Sequence, residues 1–206
     1  MIVEGRGGVQ PLAEGGVGPI SIDRTGALIV TDGHGRYYEA ARKGNLFVAY
    51  ATLTAPVIYT TAAGTGGPLI WNGSANYNVS LLAVGMSVSV VTTVAGGLGI
   101  TGNIGQTSAP TSTTAIDGNK NTLIGGRAPA STAYRVGTVV NAGNFLMPLA
   151  QAHTGALTVD TSGFSWEDIG GMVIIPPNAW ASIAATATLT TLQVQVGLLY
   201  EEIPIL

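Results

Sequence analysis

Cysteine is absent from this chain. That excludes disulfides and thiolate metal sites, and it leaves the redox compartment open. Charge is scarce: Asp, Glu, Lys and Arg make up 9% of the residues, against about 25% in an ordinary soluble domain. The shortage is also uneven. From Gly44 to Ile116 there is no Asp, Glu, Lys, Arg or His, where a segment of that length would ordinarily hold about 18 charged side chains. A neutral stretch like this offers little acid–base chemistry and little charge to keep its surface in water. The eight basic residues are scattered, which argues against a nucleic-acid partner, because that needs clustered Lys and Arg. Aromatics are 6%, few for a sugar-cleaving site.

The longest apolar window, Ser80–Ile100 (SLLAVGMSVSVVTTVAGGLGI), is long enough to span a membrane. Its Ser87, Ser89, Thr92, Thr93 and four glycines make it a poor helix, so a pair of strands is the better reading and no membrane is expected. The first residues, MIVEGRGG, show neither the basic nor the apolar region of a secretory signal.

What is present divides by charge. Glu4, Arg6, Glu14, Asp23, Arg24, Asp32, Arg36, Glu39, Arg42 and Lys43 all precede Gly44. Residues 1–20, rich in Gly with Pro11 and Pro19, cannot offset their ordering entropy with a core of their own and are expected to form an extended arm that orders against a partner. Ser21–Val30 reads as a short hairpin. Arg36–Lys43 reads as one helical turn, with Glu39 and Lys43 paired at i,i+4 and Gly44 as its cap. Residues 1–44 are thus an arm and hairpin, and residues 45–206 the body.

In the body the period is two. Phe47, Ala49, Ala51 and Leu53 share one face of Leu46–Thr54. Tyr77, Val79, Leu81 and Ala83 oppose Asn78 and Ser80. Met86, Val88, Val90 and Val94 oppose Ser87, Ser89 and Thr93. Ala179, Ala181, Ile183, Ala185, Ala187 and Leu189 alternate with Ser182, Thr186 and Thr188, and Leu192, Val194, Val196, Leu198 and Tyr200 alternate with Gln193 and Gln195. The fold class is all-β, a jelly-roll-like antiparallel β-sandwich. Gly96–Ala133, rich in Gly, Ser, Thr and Asn, reads as long loops with one short hairpin around Thr122–Gly126.

Several motifs have a functional and a bland reading. Gly97–Gly102 matches the dinucleotide pattern G-x-G-x-x-G, with Asp117 at the right distance, but the next residues, NIGQTSAPTSTT, cannot form the helix that pattern needs. Asp117, Asn119 and Asn121 open like a calcium loop, yet Thr122 and Ala128 stand where Gly and Glu belong. His34 and His153 have no partner at metal spacing. Trp166-Glu167-Asp168 and Glu201-Glu202 are read as surface or inter-subunit contacts rather than paired catalytic carboxylates. Asn72-Gly-Ser74 and Asn78-Val-Ser80 are accidental sequon matches. No catalytic, cofactor-binding or metal residue is assigned, and no cofactor is expected.

Two segments carry a resemblance. SIDRTGALIVTDGHGRYYEAARKGNLF (Ser21–Phe47) and MVIIPPNAWASIAATATLTTLQVQVGLLYEEIP (Met172–Pro204) resemble the opening and closing segments of structural proteins from tailed-bacteriophage virions. The resemblance implies a non-enzymatic jelly-roll decoration or cement protein, a homotrimer on the capsid exterior. Its partner would be the major capsid protein, and assembly would take place in the bacterial host cytoplasm. The alternative is a tail- or neck-associated β-sandwich adhesin or carbohydrate-binding module.

Overall fold

The computed structural model describes residues 36–56, 58–60, 67–90, 94–116, 118–152 and 164–205. The chain divides into two compact units, Met1–Glu39 and Ala40–Leu206. The expected arm, the Ser21–Val30 hairpin and both histidines lie outside the described residues. Within residues 36–39, the Arg36 guanidinium lies 5.3 Å from the Tyr37 ring centre.

The one helix among the described residues is short, α1 (Tyr38–Arg42). Gly44 ends it with φ of +69°. Its N–H donates to Ala41 O, and the Asn45 N–H donates to Ala40 O, the paired bonds of a Schellman cap. The side chain of Glu39, half of the expected i,i+4 pair, lies outside the described residues.

Among the described residues, eleven strands come after it: β1 (Leu46–Thr54), β2 (Leu69–Asn72), β3 (Tyr77–Val90), β4 (Gly96–Ile104), β5 (Thr111–Ala115), β6 (Gly118–Asn121), β7 (Thr132–Thr138), β8 (Asn144–Ala152), β9 (Phe164–Ile175), β10 (Ala179–Ala185) and β11 (Gln193–Pro204). They form a five-stranded sheet, β6-β1-β11-β3-β9, and a six-stranded sheet, β5-β7-β2-β10-β4-β8. The strands pair in a nested order: β4 with β8, β3 with β9, β2 with β10 and β1 with β11, all antiparallel. Pairing of β11 with β3 and of β10 with β4 closes the two sheets. This is a long hairpin rolled on itself, the jelly-roll connectivity. Strands β5, β6 and β7 are an excursion at the hairpin's tip. β6 joins the edge at β1, and β7 with β5 extends the other sheet beyond β2.

In β1 and β11 the inward alternation is the one expected. Phe47, Ala49, Leu53, Val194, Val196, Leu198 and Tyr200 all enter the core. The stretch 77–83 and the start of 86–94, read separately in the sequence, meet in the single strand β3, which ends at Val90; Val90 and Val94, expected on the inward face, are exposed. The inward set of β3 shifts from Val79 and Leu81 to Val84 and Met86. Leu82 causes the shift. It is the extra residue in the ladder between Tyr200–Leu81 and Leu199–Ala83, and an extra residue flips every later side chain to the other face. Opposite it, β9 bulges further: Asp168 pairs with Ala83 and Val173 with Leu81, and Gly170 and Gly171 take φ of +60° and +81° to make the detour. β10 is buried on both faces. Ser182, expected on a solvent side, donates its hydroxyl to Gly67 O at 3.0 Å.

The reading of Gly96–Ala133 as long loops is corrected. The segment holds β4, β5 and β6 and enters β7. Glycine disguises β4, because its glycines answer close approach rather than turning. A Cβ at Gly99 would collide with the Phe145 ring and the Met147 carbonyl, and one at Gly102 would lie 2.7 Å from Trp180 O. Around residues 122–126 there is a tight turn, with the Gly126 N–H donating to Leu123 O. It is not a hairpin, since the flanking β6 and β7 belong to different sheets.

Candidate functional site

Glu202 is the next inward position after Leu198 and Tyr200, and it is fully buried. A buried carboxylate is tolerable only when its charge and lone pairs are met. Here they are. Oε2 accepts from Arg127 Nη1 at 2.6 Å and from the Ala130 N–H at 3.1 Å. Oε1 accepts from the Ser131 N–H and the Ser131 hydroxyl, each at 2.8 Å. The Arg127 guanidinium also donates to Asn45 Oδ1 and lies over the rings of Phe47 (4.8 Å) and Tyr77 (5.1 Å). Phe47 in turn stacks on Tyr200, whose hydroxyl donates to Asn119 Oδ1 at 2.8 Å. Burial pushes the Tyr200 phenol well above its usual range, with Glu202's charge adding to the rise.

The expectation that Glu201-Glu202 forms surface contacts is therefore corrected for Glu202. Its register signals burial, since it continues the even-numbered core set of β11. Chemically the group is spent: four donors occupy its two oxygens, and no lone pair faces a substrate. Its work is mechanical. It ties residues 127–131, which cross from β6 to β7, to the ends of β11 and β1. Glu201, on the opposite face, is partly exposed. Burial raises its carboxyl above the usual value, and Lys43 opposes that rise.

A second set of polar side chains closes the strand ends nearby. Asn72 is buried and its amide donates to Tyr77 O and Ile175 O at 2.8 and 2.9 Å. That nitrogen is not available for glycosylation in the folded chain, which supports the bland reading of its sequon. Gln106 accepts from the Val140 N–H and donates to Ser108 O, and its carbonyl accepts from Trp71 Nε1. Trp180 Nε1 is buried without an acceptor, so its burial carries a desolvation cost.

The other sequence motifs resolve structurally. Gly97–Gly102 lies inside β4, so no helix N-terminus faces it and the dinucleotide reading fails. Asp117 lies outside the described residues. Asn119 and Asn121 stand on β6, a strand rather than a loop. Asn121 is committed to Gly44 O, Arg127 O and the Leu123 N–H, and Asn119 Oδ1 to Tyr200. Trp166, Glu167 and Asp168 are exposed on β9. Among the described residues no cluster of three or more His, Asp or Glu is placed to hold a metal.

One open feature among the described residues is an apolar cleft of about 350 Å³ between the two sheets, lined by Gly102, Ile104, Leu146, Val173, Ile175 and Ala181 among others. It lies where the edge strands β8 and β9 approach. Small inward residues on the neighbouring strands β4 and β10, Gly102, Ala179 and Ala181, leave the core short of volume there. Ile104, Leu146 and Ile174 stand exposed at its rim, and Met172 on the β9 bulge is exposed too. Pro148 lies within β8 and removes one donor from that edge. Among the described residues, no charged side chain lines the cleft.

Comparison of the chain with family models, with curated proteins and with solved structures finds no match.

Proposed function

We propose that the chain is a non-enzymatic structural protein of a tailed-phage virion: a homotrimeric decoration protein that binds the major capsid protein on the outside of the head. The observation that carries this reading is the uncovered apolar seam at β8 and β9. A protein that works only when assembled can leave Ile104, Leu146, Ile174 and Met172 in the open, because a neighbour removes them from water. The jelly-roll body and the resemblance of the two terminal segments to virion proteins support the same reading. So does the lack of charge through β1–β5, since neutral Thr, Ser and Asn can be buried between subunits at far lower cost than ions.

The test is assembly. The wild type should sediment as a trimer and co-purify with phage heads. The double variant Leu146→Asp, Ile174→Asp should keep the wild-type circular dichroism and lose about tenfold or more in particle association, as truncation of central interface anchors does. A monodisperse wild-type monomer that never associates with particles would overturn the reading.

A further inference from the structure

The turn that leaves β6 for the crossing to β7 ends in an apolar tip. Ile124 is 99% exposed and Leu123 43%. The turn is braced on both sides. Asn121 Oδ1 accepts from the Leu123 N–H at 2.8 Å, and the Asn121 amide donates to Gly44 O and Arg127 O. The Thr122 N–H donates to Leu46 O, and the Gly126 N–H to Leu123 O. Leu123 and Ile124 therefore form a fixed knob, which has little freedom to lose on docking.

The knob and the open cleft lie at the same end of the sandwich, on opposite sides. Asn121, Phe47, Tyr200, Leu81 and Val173 are successive cross-strand partners in one row. The knob begins just beyond Asn121, and Val173 lines the cleft. Four strand spacings separate the two ends of the row, about 19 Å at about 4.8 Å each. The knob is tied to β1 and does not reach the cleft of its own chain.

From this placement we infer that the Leu123–Ile124 knob of one copy docks in the β8–β9 cleft of the next. A cavity of about 150 Å³ accepts one benzene-sized group, so a cleft of about 350 Å³ has room for two aliphatic side chains. Ile104, Leu146 and Ile174 at the rim would flank them. The edges brought together are also opposite in charge, with Lys120 exposed on β6 and Glu167 exposed on β9. A small aliphatic ligand could fill the cleft, but it would leave the knob in water; a second copy covers both. Contact between two different patches of one molecule is heterologous, and it generates a ring where the rotation closes. That the ring holds three copies rests on the assembly reading above; the contact itself does not.

The absence of cysteine makes the contact directly testable in the full chain. A disulfide needs the two Cα atoms within about 7 Å. On air oxidation, Ile124→Cys combined with Leu146→Cys should therefore link copies, and either single variant should link far more slowly. A non-reducing gel should show a ladder ending at three chains; an end point above three keeps the contact and corrects the ring size. Ile124→Asp should keep the wild-type circular dichroism and weaken assembly in sedimentation about tenfold or more, as loss of an interface anchor does. No disulfide between copies, a ladder that stops at two, Ile124→Cys alone linking as fast as the pair, or Ile124→Asp assembling as the wild type does would each overturn the proposal. So would Leu146→Asp staying an intact trimer that has lost only its particle binding, because the cleft would then belong to the capsid. A covalent ring that binds no phage head would sink the virion reading and leave this contact standing.

Discussion

One row of the five-stranded sheet separates two very different regions. Val79 pairs with Glu202 on one side and with Ile175 on the other. Toward β11 and β1 the sandwich end is closed. Residues 127–131 fold over it, and Glu202, Arg127, Ser131 and Tyr200 satisfy one another. Toward β9 and β8 the same end is open and apolar, and the connection between sheets is only a tight turn through Pro176, Pro177 and Asn178. That turn has Asn178 at φ +60° and an Ala179 N–H bond to Pro176 O, the features of a type II turn with proline leading. A short turn covers little. Where the chain makes its long crossing it spends a buried ion pair on self-closure; where it turns tightly it leaves surface for something else.

The largest effect should come from breaking the closed side. Arg127→Ala leaves Glu202 buried without its cation, and such half-pairs cost about 3–5 kcal/mol. The Arg127 side chain is itself one-third exposed, so water reaches it and the lower end of that range, about 3 kcal/mol, is expected. Urea unfolding checks this. A loss below about 1 kcal/mol, the worth of an exposed pair, would mean the loop is held by its backbone and ring contacts instead.

A smaller effect, of opposite sign on the two sides, should come from adding volume. Ala181 lines the open cleft, and Ala181→Val should stabilise the fold by about 0.5–1 kcal/mol, as cavity filling commonly does. Ala51 lies fully buried in β1. The same substitution there adds methyls to packed space and should cost about 1–3 kcal/mol. Thermal melts of the two variants read the difference directly. Equal destabilisation at both sites would show that the cleft closes up in solution.

The same contrast governs how much can be read from sequence. Half-buried strands announce themselves, which is why Leu46–Thr54 and the alternation from Leu192 to Tyr200 find their counterparts in β1 and β11. Glu202 is within reach by the same rule, two residues beyond Tyr200, but its identity as an acid outweighs its register. Arg127 gives no local sign at all. Its pairing partner is far along the chain and is set by where the β6–β7 crossing lands. β4 is hidden because glycine has one appearance in sequence and two uses. The sequence pattern favours turning, whereas Gly99 and Gly102 serve close packing against Phe145 and the Trp180 backbone. The parity change in β3 is visible as a switch from odd to even positions, but only the ladder shows that one strand with a bulge at Leu82 produces it. The cleft has no sequence signature, since it depends on where small residues from separate strands come together.

The smallest prediction tests the surface next to the closed side. Glu201 and Glu202 are neighbours, yet among the described residues only Glu202 has an arginine against its carboxylate. Burial without such a partner raises the Glu201 carboxyl, and Lys43 only partly counters it. The folded chain therefore holds the Glu201 proton to a higher pH than the unfolded chain does. Over that window the native state binds more protons, so this group's contribution to stability is present at low pH and declines as pH rises through the raised value. Glu201→Gln removes the titration. Relative to the wild type, the variant's urea midpoint should rise as pH climbs from the ordinary carboxyl range through the raised value and then level off. Arg127→Ala acts through a different carboxylate, so its deficit should persist at neutral pH. If the Glu201→Gln difference were flat across that range, Lys43 would be neutralising Glu201 fully, and the two neighbours would differ in burial alone rather than in whether their charge is matched.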